Sequence, residues 1–204
     1  MYVLTEIANI VPHNEAELPD EIIVARVCAG EDNLFTLLYQ RYRAKTFALA
    51  YGMTGQREQA DDLTQDIFLR VYQRLSSFQG HAKFSTWFYR ISLNCCLNYC
   101  RHERRSSTRL TTATDIAIPM LVEVRRTEEA HEALLRQEVQ QQIRLALLSL
   151  KPQLRMLLIL KEIDGLSYDE IAERLECSTG TVASRLNRAR QLLARKLESL
   201  KGKI

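Results

Sequence analysis

The chain holds 204 residues, 46% hydrophobic and 26% charged, with a formal net charge of +3, proportions of a folded globular protein rather than a disordered one. No apolar run nears the roughly 20 residues that cross a bilayer, so membrane insertion is not expected. With only 7 Gly and 4 Pro a turn-rich β-sandwich is excluded, and strings such as ALLRQEVQQQIRLALL indicate helix. The first twenty residues lack the basic start, apolar core and small-residue cleavage site of a secretory leader. Cys28, Cys95, Cys96, Cys100 and Cys177 form an odd, unpatterned set, which fits a reducing cytoplasm better than a disulfide framework.

The small net charge conceals a segregation. Residues 1–34 carry one basic side chain against seven acidic ones, residues 81–110 six basic against one acidic, and residues 178–204 seven basic against one acidic. Two basic surfaces divided by an acidic stretch at 111–136 suggest a polyanion touched in two places. Solvated helix faces are the plainer alternative for either segment alone.

In chain order, residues 1–19 are acidic, weakly patterned and read as a flexible lead-in. From Asp20 to about Arg105 apolar residues recur at helical spacing, with breaks at Gly52–Gly55 and Gly80. Within this stretch, REQADDLTQDIFLRVYQRLSSF turns Leu63, Ile67 and Val71 inward and presents Asp61, Asp62, Gln65 and Asp66 as an acidic surface. Three readings of that surface stay open. One is a magnesium site of the kind seen in isoprenoid synthases, for which a second aspartate-rich helix is missing. The others are a favourable charge at a helix N-terminus and a docking surface for a basic partner.

After Gly80, Ser85 is expected to cap a helix running to about Arg105. Arg90, Asn94, Asn98, Arg101 and Arg105 fall at intervals of four, four, three and four, a continuous polar stripe, with Phe78, Phe84, Phe88, Tyr89 and Tyr99 interleaved. Cations that track a backbone, together with aromatic and amide groups for unstacked bases, suit single-stranded nucleic acid. Burial of most of the aromatics, Trp87 included, is the structural alternative. Cys95, Cys96, Cys100 and His102 could be imagined as a metal or redox cluster, but neighbouring Cys95 and Cys96 point apart on one helix, which favours packing. Residues 106–129 lose periodicity and read as a linker; helical pattern resumes from Ala130. The expectation is an all-α fold of two small helical domains, 20–105 and 130–204, joined by a flexible linker.

The sharpest local grammar lies in GLSYDEIAERLECSTGTVASRLNRARQLLARKL. Gly165 can end a helix in the left-handed region. Ser167 and Glu170 form a capping box that starts a short helix Tyr168–Leu175. Ser178 can cap a second helix, and Ala172, Val182 and Leu186 sit where the two would cross. This is the spacing of a helix-turn-helix, whose second helix enters a major groove. Thr181, Ser184, Arg185 and Arg188 share its outer side. Glu176 occupies the turn position often filled by glycine, so a strained or altered turn is expected.

Taken in order, DDLTQDIFLRVYQRLSSFQG, KFSTWFYRISLNCCLNYCRHERR and LKPQLRMLLILKEIDGLSYDEIAERLECSTGTVASRLNRARQLL resemble the sigma factors of bacterial RNA polymerase, of the small extracytoplasmic-function type, over most of the chain. The resemblance implies a sigma-2-like helical bundle and a sigma-4-like helix-turn-helix domain. Asp61, Asp62, Gln65, Asp66 and Leu69 would bind core polymerase, at the coiled coil of its β′ subunit; the β flap is a further implied partner of the chain. Phe78, Lys83, Phe84, Trp87, Arg90, Asn94, Asn98 and Arg101 would melt and read the −10 element, with the Phe78–Phe84 loop pocketing a flipped base. Tyr168, Glu170, Thr181, Ser184, Arg185 and Arg188 would serve the −35 element, in a helix-turn-helix from Tyr168 to Asn187. Ala183 stands where many relatives carry a basic residue. The resemblance further implies promoter DNA, duplex and single-stranded, and an anti-sigma factor as partners. It calls for no enzymatic activity, cofactor or metal. A self-contained helix-turn-helix regulator that needs no polymerase is the competing reading.

Overall fold

The computed structural model describes residues 17–109 and 128–201. The N-terminal unit comprises α1 (Asp20–Cys28), α2 (Phe35–Thr54), α3 (Arg57–Arg74) and α4 (Phe84–Arg109). The C-terminal unit comprises α5 (Glu128–Leu148), α6 (Pro152–Leu158), α7 (Tyr168–Leu175) and α8 (Thr179–Lys201). A π-helical segment, Ile159–Ile163, prolongs α6. Among the described residues there is no strand. The expected lead-in at 1–16 and the centre of the expected linker, 110–127, lie outside the described residues; α4 runs on to Arg109, and α5 begins at Glu128.

Aromatic packing organises the N-terminal unit. Tyr42 of α2 lies 4.5 Å from Phe88 and 5.7 Å from Phe84, ring centre to ring centre. Phe68 of α3 stands 5.4 Å from Phe88, and Phe78 meets Phe84 edge-on at 5.6 Å. Such tilted and edge-on pairs place positive ring edges against negative faces. The Tyr42 hydroxyl donates to Asp20, which also pairs with Arg41, so α1 is fastened to α2. Buried hydroxyls are satisfied within their own helices: Thr46, Thr64 and Ser92 each donate to the carbonyl four residues back. Gly55 closes α2 at φ 75°, a conformation that a side chain would strain, and the short connection returns α3 against α2.

The start of α4 corrects the sequence expectation. Ser85 is not its cap. The helix begins one residue earlier, and the Phe84 amide donates 3.0 Å to the carboxylate of Glu21 on α1. A carboxylate at a helix N-terminus satisfies an orphan amide and suits the helix dipole. It comes from a residue 63 positions away, beyond the reach of local grammar.

The C-terminal unit is aliphatic. In RMLLIL (155–160) every side chain is buried, because α6 is covered on one side by α8 and on the other by α2 and α4. Apart from the buried Arg155, which donates to the Cys100 thiol, the segment is apolar on all sides, as an interior helix is. The two units are therefore in contact: Ile159 sits over Gly52, and Leu148 over Gly55.

Candidate nucleic-acid interface

Three surfaces carry the residues singled out from the sequence. On α3, Leu63, Ile67 and Val71 are buried, while Asp62, Gln65, Asp66 and Leu69 emerge on one exposed stripe. Leu69 is 56% exposed, a large apolar side chain without cover. Asp61 is turned aside and only half exposed, lining a hollow with Tyr39, Arg43, Phe47 and Arg57. The stripe extends to Tyr72, 40% exposed, which sequence reasoning missed. Its position three residues after Leu69 was the available signal. The Tyr72 ring meets Phe35 edge-on at 5.1 Å, and its hydroxyl bonds Asp32, which holds the phenol proton and raises its pKa.

On α4 the structure separates two groups that the sequence had merged. Phe84 and Phe88 are fully buried, and Phe78 and Tyr89 nearly so. Phe78 and Phe84 therefore cannot offer ring faces to a flipped base; they anchor the ends of the loop from Gln79 to Lys83, whose residues are exposed. Trp87 is half-buried, 5.5 Å from Phe78 and 5.7 Å from Phe84. Lys83, Asn94, Asn98 and Arg101 are exposed, and Arg101 donates 3.1 Å to the Asn98 side chain. Arg90 is engaged, forming an ion pair with Glu176 of the C-terminal unit. The side chain of Arg105 lies outside the described residues.

Cys95, Cys96 and Cys100 are all buried as free thiols. Burial pushes the Cys95 and Cys96 thiols up, favouring the neutral, unreactive form. Among the described residues no group of three or more His, Cys, Asp or Glu is arranged to hold a metal ion.

The helix-turn-helix is built as its sequence dictates. Ser167 accepts the Glu170 amide, and the Glu170 carboxylate accepts the Ser167 amide at 2.8 Å, a complete capping box. That bonding holds the Glu170 carboxyl below its ordinary pKa, and the residue stays exposed beside the cap. Ser178 accepts the Thr181 amide at 3.2 Å and starts α8. Ile171, Ala172, Val182, Leu186 and Ala189 are buried where α7 and α8 cross. Ser184, Arg185 and Arg188 face solvent on the other side. Tyr168 is half-buried beneath Lys161, and its hydroxyl accepts from Arg190. Arg190, unremarked in the sequence, also donates 2.7 Å to Glu162 and staples α8 to the π-helical segment. At the turn, Glu176 has φ 51° and ψ 47°, in the left-handed region that disfavours a side chain.

The fold is a helical bundle with an acidic, apolar-tipped exposed stripe, followed by a helix-turn-helix with an exposed basic face, the class of a two-part DNA-binding protein. Comparison with known proteins agrees. The family model for Sigma-70 region 2 matches residues 38–106, and that for Sigma-70, region 4, matches residues 140–193. The ECF RNA polymerase sigma-E factor of Escherichia coli is 34% identical over 188 residues, covering 90% of this chain and 97% of its own length. The RNA polymerase sigma-H factor of Pseudomonas aeruginosa is 32% identical over 183 residues, covering 89% and 95%. CnrH, solved in complex with the cytosolic domain of CnrY, superposes with a TM-score of 0.59 at 25% identity, over 87% of this chain and 96% of that one. The sigma factor RpoE of Bartonella quintana, solved with the anti-sigma factor NepR, shares the fold, with a TM-score of 0.58 at 23% identity over 80% and 96%. The chain belongs to the ECF sigma factors of RNA polymerase. It is a transcription initiation factor with a DNA-binding helix-turn-helix region. Among the described residues no helix is long and apolar enough to cross a membrane.

Proposed function

We propose that each surface has one task. The α3 stripe of Asp62, Gln65, Asp66 and Leu69, extended by Tyr72, docks on the β′ coiled coil of core polymerase. The exposed loop Gln79–Lys83 and the polar face Trp87–Asn94–Asn98–Arg101 hold parted bases of the −10 element. Arg185, Arg188 and Ser184 lie in the −35 major groove, where an arginine can present two donors to one guanine. The functional division is 20–105 for polymerase and −10 DNA and 130–204 for −35 DNA.

Bound to core polymerase, the two units engage two DNA elements as one bivalent site, so the second contact forms at high effective concentration. Bases captured in the parted state shift the duplex toward opening. The chain itself breaks no bond; RNA synthesis belongs to the polymerase. Regulation by an anti-sigma factor is part of the same reading, in line with the complexes in which CnrH and the Bartonella sigma factor were solved.

The observation that carries the proposal is the exposed Asp62–Leu69 stripe in the same chain as the basic face of α8, within a sequence matching both sigma regions. The test is run-off transcription with purified core polymerase over a randomised promoter pool. The wild-type chain should select a −10/−35 pair, and reversal of Asp62 and Asp66 to Lys should abolish both polymerase binding and selected transcription. Undiminished promoter-specific transcription by the double variant would refute the docking assignment and favour a regulator that works without polymerase.

A further inference from the structure

A hollow of about 660 Å³ lies where α2, the start of α4, the turn after the π-helical segment and α7 meet. None of its lining residues belongs to the α3 stripe or to α8, so neither the docking surface nor the −35 face uses it. Sites for small molecules span roughly 300–1,000 Å³, and this one has the room.

Its wall gathers positive charge from separate elements. Arg41 and Lys45 stand one turn apart on α2 and share a face, and Arg174 joins them from α7. Compensation is incomplete. Arg41 pairs with Asp20, but Lys45 is exposed and makes no hydrogen bond or ion pair with any described residue. Arg174 is held by a ring instead of a carboxylate: its guanidinium lies 4.8 Å over Tyr89, and its Nη1 has no hydrogen-bond partner. The Ser85 hydroxyl, left uncommitted because Glu21 takes the cap of α4, lines the same space. Cations that outnumber their carboxylates repel one another, and an anion relieves that repulsion. Ammonium and guanidinium groups donate charge-assisted hydrogen bonds to phosphate oxygens, the guanidinium two at a time.

The rest of the wall selects more than a bare phosphate. Ala48 and Leu166 are apolar, and Asp164 is the single carboxylate among the lining residues, close enough to Lys45 and Arg174 to feel both charges. A carboxylate repels phosphate and accepts from N–H and hydroxyl groups. The ligand that satisfies both ends carries phosphates on one side and hydrogen-bond donors on a compact ring body on the other.

We propose that this hollow binds a nucleoside polyphosphate, its phosphates held by Arg41, Lys45 and Arg174 and its ribose hydroxyls or base N–H groups turned to Asp164. The site goes beyond the sigma-factor reading and does not depend on it.

The test is calorimetric titration of the full chain with ATP and, separately, with GTP. At least one of them should bind with 1:1 stoichiometry and a Kd below about 1 mM, and the tighter of the two identifies the base. Tripolyphosphate, which has the charge without the nucleoside, should bind several-fold more weakly, and Asp164→Asn should narrow that difference. Lys45→Ala should weaken nucleotide binding about tenfold at an unchanged melting temperature, the loss of one charge-assisted hydrogen bond, and Lys45→Arg should retain most of it. Arg57→Ala, in the separate hollow beside Asp61, should change nothing. In acetic anhydride footprinting read by mass spectrometry, the nucleotide should protect Lys45. Absence of binding by both nucleotides, undiminished binding by Lys45→Ala, an unprotected Lys45, or a loss caused by Arg57→Ala overturns the site. Tripolyphosphate that binds as tightly as the better nucleotide, or a preference untouched by Asp164→Asn, overturns the nucleoside assignment.

Discussion

The two units solve the same packing problem with different side chains. The N-terminal unit is cored by Tyr42, Phe68, Phe78, Phe84 and Phe88, whereas the C-terminal unit buries Leu150, Met156, Leu157, Ile159, Leu160, Ile171, Val182 and Leu186, with no aromatic among its fully buried described residues. Rings are large and stiff, so a cluster of them fixes the directions in which a loop leaves the core. That suits the anchored loop Gln79–Lys83. Aliphatic side chains let α7 and α8 cross closely through Ala172 and Ala189, which suits a compact module laid on duplex. Basic, aromatic-rich sequence thus means different things in the two places: in α8 the cations have an exposed face to themselves, while in α4 most interleaved rings belong to the interior.

The contrast can be broken most severely at Phe84. Phe84→Ala removes a fully buried ring with four aromatic neighbours, Tyr42, Phe78, Trp87 and Phe88, and should cost about 3–5 kcal/mol in urea unfolding. A loss of DNA affinity with unchanged stability would instead return the ring to base recognition. A smaller effect is expected on α8. Arg188→Ala should weaken −35 duplex binding by about 1–3 kcal/mol at particular bases, whereas Lys196→Ala should weaken all sequences alike and reduce the salt dependence. Competition binding across single-base variants separates the two. Smaller again, Ser167→Ala should destabilise the start of α7 by about 1 kcal/mol, visible in thermal melting.

The smallest expected effect is on pH dependence, where two carboxylates of the C-terminal unit oppose each other. Burial raises the Asp164 carboxyl above its ordinary value, although Lys45 and Arg174 pull the other way. Its charge disfavours packing at neutral pH, and protonation relieves this as pH falls through the raised value. Asp164→Asn should flatten that component. Glu170 behaves oppositely: the Ser167 amide and hydroxyl hold it low, so its support for α7 is present above its unfolded pKa and lost as pH falls through the lowered one. Site-resolved carboxyl titration by NMR should show the two midpoints displaced in opposite directions from ordinary carboxylates.

Much of this was legible along the chain because the governing interactions are local. Helical periodicity, the Ser167–Glu170 box, the Ser178 cap and the left-handed Gly165 each depend on residues a few positions apart, and they define the helix-turn-helix without any tertiary contact. The inward set Leu63, Ile67 and Val71 likewise fixed which side of α3 would be exposed, and hence the stripe up to Leu69.

Tertiary structure decided what depends on distant partners. Only packing shows that Glu21 rather than Ser85 caps α4, that Phe78 and Phe84 are interior, and that Arg90 faces Glu176 across 86 positions. The unbroken apolar run at 156–160 is the mark of a helix covered on all sides, but it does not say what covers it. Periodicity can tell one side of a helix from the other; it cannot say which sides meet, because that choice is made by burial, charge pairing and the room left by glycines elsewhere in the chain.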